Sequence, residues 1–167
     1  YGVPGWVGGG THQRQVALSN EKGLNTKLTT ELCADSDDWN RDGVEFRFLQ
    51  SSLDYSSEND NSCVLQIRSS RGSVLLPGDI ETQAEAQLAI SYAGELASDV
   101  LLAPHHGSRS SSSYAFLKRV DPDFVVFSAG YRNSFGHPHD RVVTRYGEFA
   151  SKTLNTAEAE MISFEFS

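Results

Sequence analysis

The order of apolar patterns along these 167 residues predicts an α/β fold with helices laid over a sheet. Three observations carry that expectation. Short, dense apolar runs occur at Ser73 to Leu76, Asp99 to Ala103 and Phe124 to Ser128, as buried strands require. Segments with helical spacing lie between and after those runs. Asp79 and four of the five histidines fall just past strand-like segments, where an α/β scaffold places ligands and catalytic groups.

Taken in order, Tyr1 to Gly10 holds Pro4 and five glycines and reads as a loop. Its Gly8-Gly9-Gly10 lacks the Lys and Ser/Thr of a nucleotide-binding loop, so linker or turn is the reading there. Thr11 to Leu32 is polar and weakly patterned, leaving helix, irregular strand and disorder open. Ala34 to Asp42 is an acidic turn around Trp39 without the spacing of a calcium loop. Val44 to Leu49 alternates as a half-buried strand, Ser51 to Asp60 is a polar loop, and Cys63 to Arg68 alternates again. Arg71-Gly72 makes a hairpin turn into Ser73 to Leu76. From Glu81 to Leu96, Ala84, Leu88, Tyr92 and Leu96 form one stripe of an amphipathic helix. After the strand at Asp99 to Ala103, Ser110 to Ser113 would cap a short helix carrying Tyr114, Phe116, Leu117 and Val120. Then come the strand at Phe124 to Ser128, a helix from His139 to Ala150, and a last alternating strand, Ile162 to Phe166. The expected order is β-β-β-α-β-α-β-α-β.

The length suits one domain, with residues 1–43 as an irregular N-terminal segment and 44–167 as its core. No run approaches the ~20 apolar residues of a membrane span. The chain opens on Tyr1 and not Met, which reads as a piece of a longer protein, so the lack of a signal-peptide pattern says nothing of where the parent resides. Acidic residues outnumber basic ones, 22 to 14, for a formal charge of -8. That is a poor footprint for holding nucleic acid by phosphate contacts alone and suits a pocket that takes divalent cations. Cys33 and Cys63 match no zinc spacing; two buried thiols and one disulfide both remain open, the disulfide implying an oxidising compartment.

Gly78-Asp79 puts a carboxylate at a strand's open end, as a cation ligand or as the cap of the following helix. His105-His106-Gly107-Ser108 is harder to explain structurally. One imidazole can bind metal while the other orients it or meets substrate, and Ser108 can hold a phosphate oxygen or cap the next helix. His137 precedes a helix with Pro138 near its first positions. His139 is expected to face solvent, and neither it nor His12 receives a role. Asn59, Asn61 and Ser62 form either a polar pocket edge or a turn.

The stretches E-N-D-N-S-C-V-L, L-L-P-G-D-I-E, L-L-A-P-H-H-G-S-R-S-S-S, V-F-S-A-G-Y-R-N-S-F-G-H-P-H and L-N-T-A-E stand in one order and register. Together, over roughly Trp39 to Phe166, they resemble the C-terminal metallo-β-lactamase-like domain of ComEC-type DNA-internalisation (competence) proteins. The resemblance implies an αββα sandwich, incomplete here at its N-terminus, with a metal site at the loop ends. It implies a parent in the bacterial inner membrane, with this domain on the periplasmic or extracellular side. DNA and the remainder of the channel would be its partners, with no small-molecule cofactor and with an exposed edge open to self-association. Asp79, His105 and His106 match metal ligands for zinc or manganese in the intact domain. His106, His137 and Ser108 are the expected catalytic or substrate-contacting residues. The early H-x-H-x-D-H motif of that fold is absent from the sequence, so the chain by itself is expected to be an inactive hydrolase that holds metal weakly or not at all. The parent function implied is metal-dependent hydrolysis of DNA phosphodiesters during uptake. The alternatives are a non-catalytic docking or gating module with a vestigial pocket, or hydrolysis of another ester, since the fold serves many substrates.

Overall fold

A computed structural model describes residues 13–18, 27–33, 38–49, 53–159 and 161–167. The glycine-rich opening, Tyr1 to Gly10, lies outside the described residues. Nine strands and three α-helices are described: β1 (Gln13–Leu18), β2 (Lys27–Leu32), β3 (Trp39–Arg41), β4 (Val44–Leu49), β5 (Val64–Ser69), β6 (Gly72–Leu76), α1 (Thr82–Ser91), β7 (Val100–Leu102), α2 (Tyr114–Val120), β8 (Phe124–Phe127), α3 (Asp140–Glu148) and β9 (Lys152–Asn155). The segment that the sequence left open between Thr11 and Leu32 contains an antiparallel pair, β1 with β2.

The main sheet has seven strands in the order β3-β4-β5-β6-β7-β8-β9. Its first half is antiparallel, and from β6 onward the pairing is parallel. That change follows from the connections: Arg71 turns a hairpin into β6, whereas helices separate β6, β7, β8 and β9. The parallel strands therefore open their C-terminal ends at one edge of the sheet, the side on which open α/β sheets bind ligands.

Alternation along the strands sorts the two faces. Leu49, Val64, Leu75, Leu101, Val125 and Phe127 pack under the helices with Leu88, Phe116, Leu117, Val142 and Tyr146 in one buried core. Gln66 shares that face and is fully buried, donating to the Glu95 carbonyl at 2.8 Å and to the Ser98 hydroxyl at 3.2 Å. A smaller cluster of Cys33, Phe48 and Cys63, with Leu65 against it, lies apart from the main core. Cys33 and Cys63 form a disulfide with a Cα–Cα distance of 5.8 Å, which resolves the alternative in favour of the bond.

Three elements differ from the sequence expectation, the first being the expected turn at Ala34 to Asp42, where Trp39–Arg41 forms the strand β3 paired with β4. Helix α1 stops at Ser91, and Tyr92 to Glu95 form turns, although Tyr92 and Leu96 are still buried as the stripe required. The last strand of the sheet is Lys152–Asn155, not Ile162 to Phe166. The later segment is not in a strand; Phe164 meets Phe124 edge-on with centroids 5.5 Å apart, so its alternation comes from packing, not ladder pairing.

Candidate functional site

Three loops at the C-terminal ends of β6, β7 and β8 bring the candidate side chains together. Gly78-Asp79 follows β6, His105 and His106 follow β7, and His137 closes the loop between β8 and α3. The backbone ties these loops directly. The His105 N–H donates to the Gly78 carbonyl at 3.0 Å, and the His139 N–H donates to the Gly107 carbonyl at 3.0 Å.

The histidine pair does not continue the extended backbone of β7. His105 and His106 both adopt left-handed backbone, at φ 47° and 56°, and Gly107 continues the turn at φ 82°. Non-glycine residues in that region carry a conformational cost of roughly 1 kcal/mol or more each, and such strain collects at functional sites. Gly107 is required for a second reason: a Cβ there would lie 2.8 Å from both Phe127 and Pro138. This turn sets both imidazoles close to the His137 ring. Their ring centroids are 6.4 Å apart, and the His137 ring lies 5.7 Å from His105 and 6.5 Å from His106.

Each histidine of the pair faces its own carboxylate. His106 Nε2 is 3.5 Å from Asp79 Oδ1, and His105 Nδ1 is 3.3 Å from Glu81 Oε1. Glu81 is further held by the Ser110 hydroxyl, which donates at 2.6 Å and keeps the carboxyl below its usual range against the opposing effect of burial. The Ser108 hydroxyl is engaged with that of Ser110 at 3.0 Å, at the rim of the same group. The His137 pKa is lowered as well, chiefly by burial, and the neighbouring His105 and His106 rings add to the effect.

The supporting polar groups differ from those the local sequence suggested. Asp79 does not cap α1. Its N–H donates to the Ser62 hydroxyl at 3.2 Å, while buried Asp60 accepts from the N–H groups of Glu81 at 2.7 Å and Ala84 at 3.2 Å. Nor do the serines cap α2 with their side chains. The carboxylate of Glu85, fully buried on α1, takes the N–H groups of Ser112 and Ser113 instead. Asn61 clamps the Tyr55 backbone, accepting at 3.1 Å and donating at 2.8 Å, so it serves a turn. His139 is half-buried at the N-cap of α3, where its Nδ1 accepts from the Arg141 N–H at 3.3 Å. Asp60, Glu81 and Glu85 carried no local signal, because their partners lie 21 to 29 residues further along.

Asp79 and His106 are chemically suited to a divalent cation, offering a carboxylate oxygen and an imidazole nitrogen. Among the described residues no group of three His, Cys, Asp or Glu side chains converges as a metal-ligand set. The donor types fit while the number falls short, so a cation there would draw its remaining ligands from beyond this pair. Without a cation, the arrangement presents three imidazoles and a hydroxyl around one opening, suited to an anionic oxygen and to moving a proton.

No protein-family model matches the chain. It is similar to Competence protein ComA of Neisseria gonorrhoeae, 39% identical over 127 residues, a match covering 75% of this chain and 18% of that protein. Recombination protein 2 of Haemophilus influenzae is 33% identical over 136 residues, covering 81% of this chain and 17% of the relative. ComE operon protein 3 of Bacillus subtilis is 29% identical over 113 residues, 68% of this chain and 14% of its own length. The chain thus spans less than a fifth of the length of these relatives.

Proposed function

We propose that this chain is part of a ComEC-type DNA-uptake protein and that the opening beside β6, β7 and β8 hydrolyses DNA phosphodiesters. The likeness to Competence protein ComA and to ComE operon protein 3 supports the first half. The second rests on one observation, the convergence of Asp79, His105, His106 and His137 at the ends of three adjacent parallel strands.

In this reading Asp79 and His106, with His105, contribute to holding a divalent cation, zinc or manganese. Such an ion, when bound, supplies Lewis-acid activation of water and of the phosphoryl oxygen. The Ser108 hydroxyl donates to a phosphate oxygen. His137, whose depressed pKa keeps it neutral near pH 7, accepts a proton at a ring nitrogen or returns one to the leaving oxygen. Glu81, anchored by Ser110, sets a carboxylate oxygen 3.3 Å from His105 Nδ1, where it stabilises a proton on that ring.

The same reading makes the seven-stranded sheet and its helices one half of an αββα sandwich of metallo-β-lactamase type. The sheet face opposite the helices supports it, with Leu65, Val74, Leu76 and Leu102 only half-buried, as a face awaiting a second layer would be. The disulfide supports a place on the periplasmic or extracellular side of an inner-membrane protein, beside the rest of its channel. Among the described residues no helix is long and apolar enough to cross a membrane.

The test is a chain extended upstream, assayed with Mn²⁺ or Zn²⁺ on single-stranded and duplex DNA. Cleavage that falls by about 100-fold or more in Asp79→Ala is the expected result, the size of effect typical for loss of a metal-held or acid–base group. A well-folded, metal-loaded protein that cuts neither substrate overturns the hydrolase reading. That outcome leaves a docking or gating module.

A further inference from the structure

Two large aromatic side chains beside the histidine group are almost wholly exposed. Tyr131 is 73% and Phe135 82% exposed, both in the loop joining β8 to α3. Their exposure does not come from a slack loop. Asn133 fastens it internally, donating from its amide to the carbonyls of Gly130 at 3.1 Å and His137 at 2.6 Å, and accepting from the His137 N–H at 2.9 Å. Leaving both rings in water within so closely tied a loop forgoes the apolar burial that side chains of this size usually supply. Something other than the fold accounts for these rings.

Each ring is backed by a planar polar group. The Arg132 guanidinium lies over the Tyr131 ring at 5.2 Å from its centroid. The His137 imidazole stacks on Phe135, centroids 5.8 Å apart and planes 28° from parallel. Phe135 thus continues, outward, the ring array that begins with His105 and His106. Its neighbours Ser134 and Gly136 are not apolar, so the surface is a pair of isolated flat rings, not the contiguous patch that a protein interface prefers. A flat ring with an open face takes another flat ring. A ligand with such a ring one linkage away from a phosphate is a nucleotide, and its base is available only when unpaired, since a duplex hides base faces within its own stack. The formal charge of -8 points the same way, because a chain this acidic gains little affinity from phosphates alone.

We propose that Tyr131 and Phe135 form a stacking platform for unpaired bases, which presents single-stranded DNA to the opening lined by His105, His106 and His137. The inference rests on the DNA reading above and narrows it to single strands.

The experiment measures binding of the full chain to a fluorescent oligothymidylate of about 12 nucleotides, within the usual span of single-strand sites. An abasic deoxyribose-phosphate strand of the same length and a duplex serve as comparisons. Tyr131→Ala and Phe135→Ala should each weaken oligothymidylate binding by about tenfold, and Phe135→Trp should retain it. The abasic strand should bind weakly and equally to all variants, and thermal unfolding should be unmoved because the rings are exposed. Unchanged oligothymidylate binding in the double alanine variant overturns the platform, and so does an equal loss on the abasic strand. Loss of self-association or of protein capture with oligothymidylate binding intact also overturns it, in favour of a protein contact. Failure of every strand and duplex to bind sinks the DNA reading itself, whereas abasic binding that survives with no base preference sinks the platform alone.

Discussion

Glu85 is a carboxylate with no access to solvent, surrounded by donors that belong to two other helices. The Ser112 and Ser113 N–H groups point into it from the start of α2, and Arg145 of α3 lies close enough to favour its charge while donating to the Ser111 and Ser112 carbonyls. The Ser112 hydroxyl also meets the Tyr146 hydroxyl at 2.8 Å, and burial pushes the Tyr146 phenol upward in pKa. One buried acid therefore fixes the segment that leads from the histidine pair into α2. Burial is the largest influence on Glu85 and raises its pKa, the two N–H groups and Arg145 offsetting part of that rise. An acid whose pKa is raised on folding binds its proton more tightly when folded. The stability it contributes is full below the ordinary value of about 4.5 and is lost as pH rises through the folded value. Glu85→Gln removes this titration but also replaces one acceptor oxygen with a donor, so it lowers stability outright by about 1 to 3 kcal/mol. The informative quantity is the gap between wild type and variant in thermal unfolding, which should narrow as pH rises above about 4.5. A gap that stays constant from acid to neutral pH contradicts the raised pKa. Nothing in the sequence near Glu85 signals this role, since it reads as one of four polar residues interleaved in an amphipathic helix.

The elements that were legible in the sequence are those whose own composition determines them. β6, β7 and β8 are buried parallel strands, and continuous apolar runs mark them whatever surrounds them. β9 was hidden because Lys-Thr-Leu-Asn is an edge strand with half of its residues exposed, made a strand by the β8 backbone beside it. The start of α1 depends likewise on a partner remote in sequence. Asp60 sits in a short 3₁₀ turn before β5 and is 4% exposed, yet it takes the N–H groups of Glu81 and Ala84 that a local N-cap would ordinarily satisfy. Asp60→Ala leaves both donors buried without a partner and should destabilise the protein by about 1 to 2 kcal/mol, a fall of roughly 2 to 8 °C in Tm. Asp60→Asn, which keeps an acceptor oxygen, should recover much of that loss. Calorimetry on the two variants checks the ordering, and an alanine variant as stable as wild type would remove Asp60 from the cap. The candidate site was legible to the same extent and for the same reason. Asp79, His105, His106 and His137 all sit where a strand visibly ends, while Glu81, which faces His105, is recognisable only once β6 and β7 are side by side.

Across the molecule, the disulfide joins the end of β2 to the start of β5, since Cys33 follows Leu32 and Cys63 precedes Val64. Besides the backbone itself, it is a covalent tie between the two-stranded and the seven-stranded sheet, spanning a sequence separation of 30. Both cysteines are buried, 2% and 6% exposed, against Phe48 and Leu65, so the bond also fills a small apolar cluster. Closing a loop of that length restricts the unfolded chain by an amount worth about 3 to 4 kcal/mol, before any cost of disturbing the packed sulfurs. For a domain of this size each kcal/mol moves Tm by roughly 2 to 4 °C, so the bond accounts for about 10 °C. The double variant Cys33→Ser, Cys63→Ser should therefore unfold about 10 °C lower than the oxidised protein and show no further response to dithiothreitol. Wild type treated with the reductant should converge on the same temperature and release two titratable thiols per chain. Because the sulfurs are shielded, that reduction should be slow in the folded state and rapid once partial unfolding exposes them. An oxidised and a reduced protein with the same Tm would show that the two sheets are held by packing alone. The argument from the disulfide to an oxidising compartment would then lose its energetic basis, because a bond that stabilises nothing gives the chain no reason to be where such bonds survive.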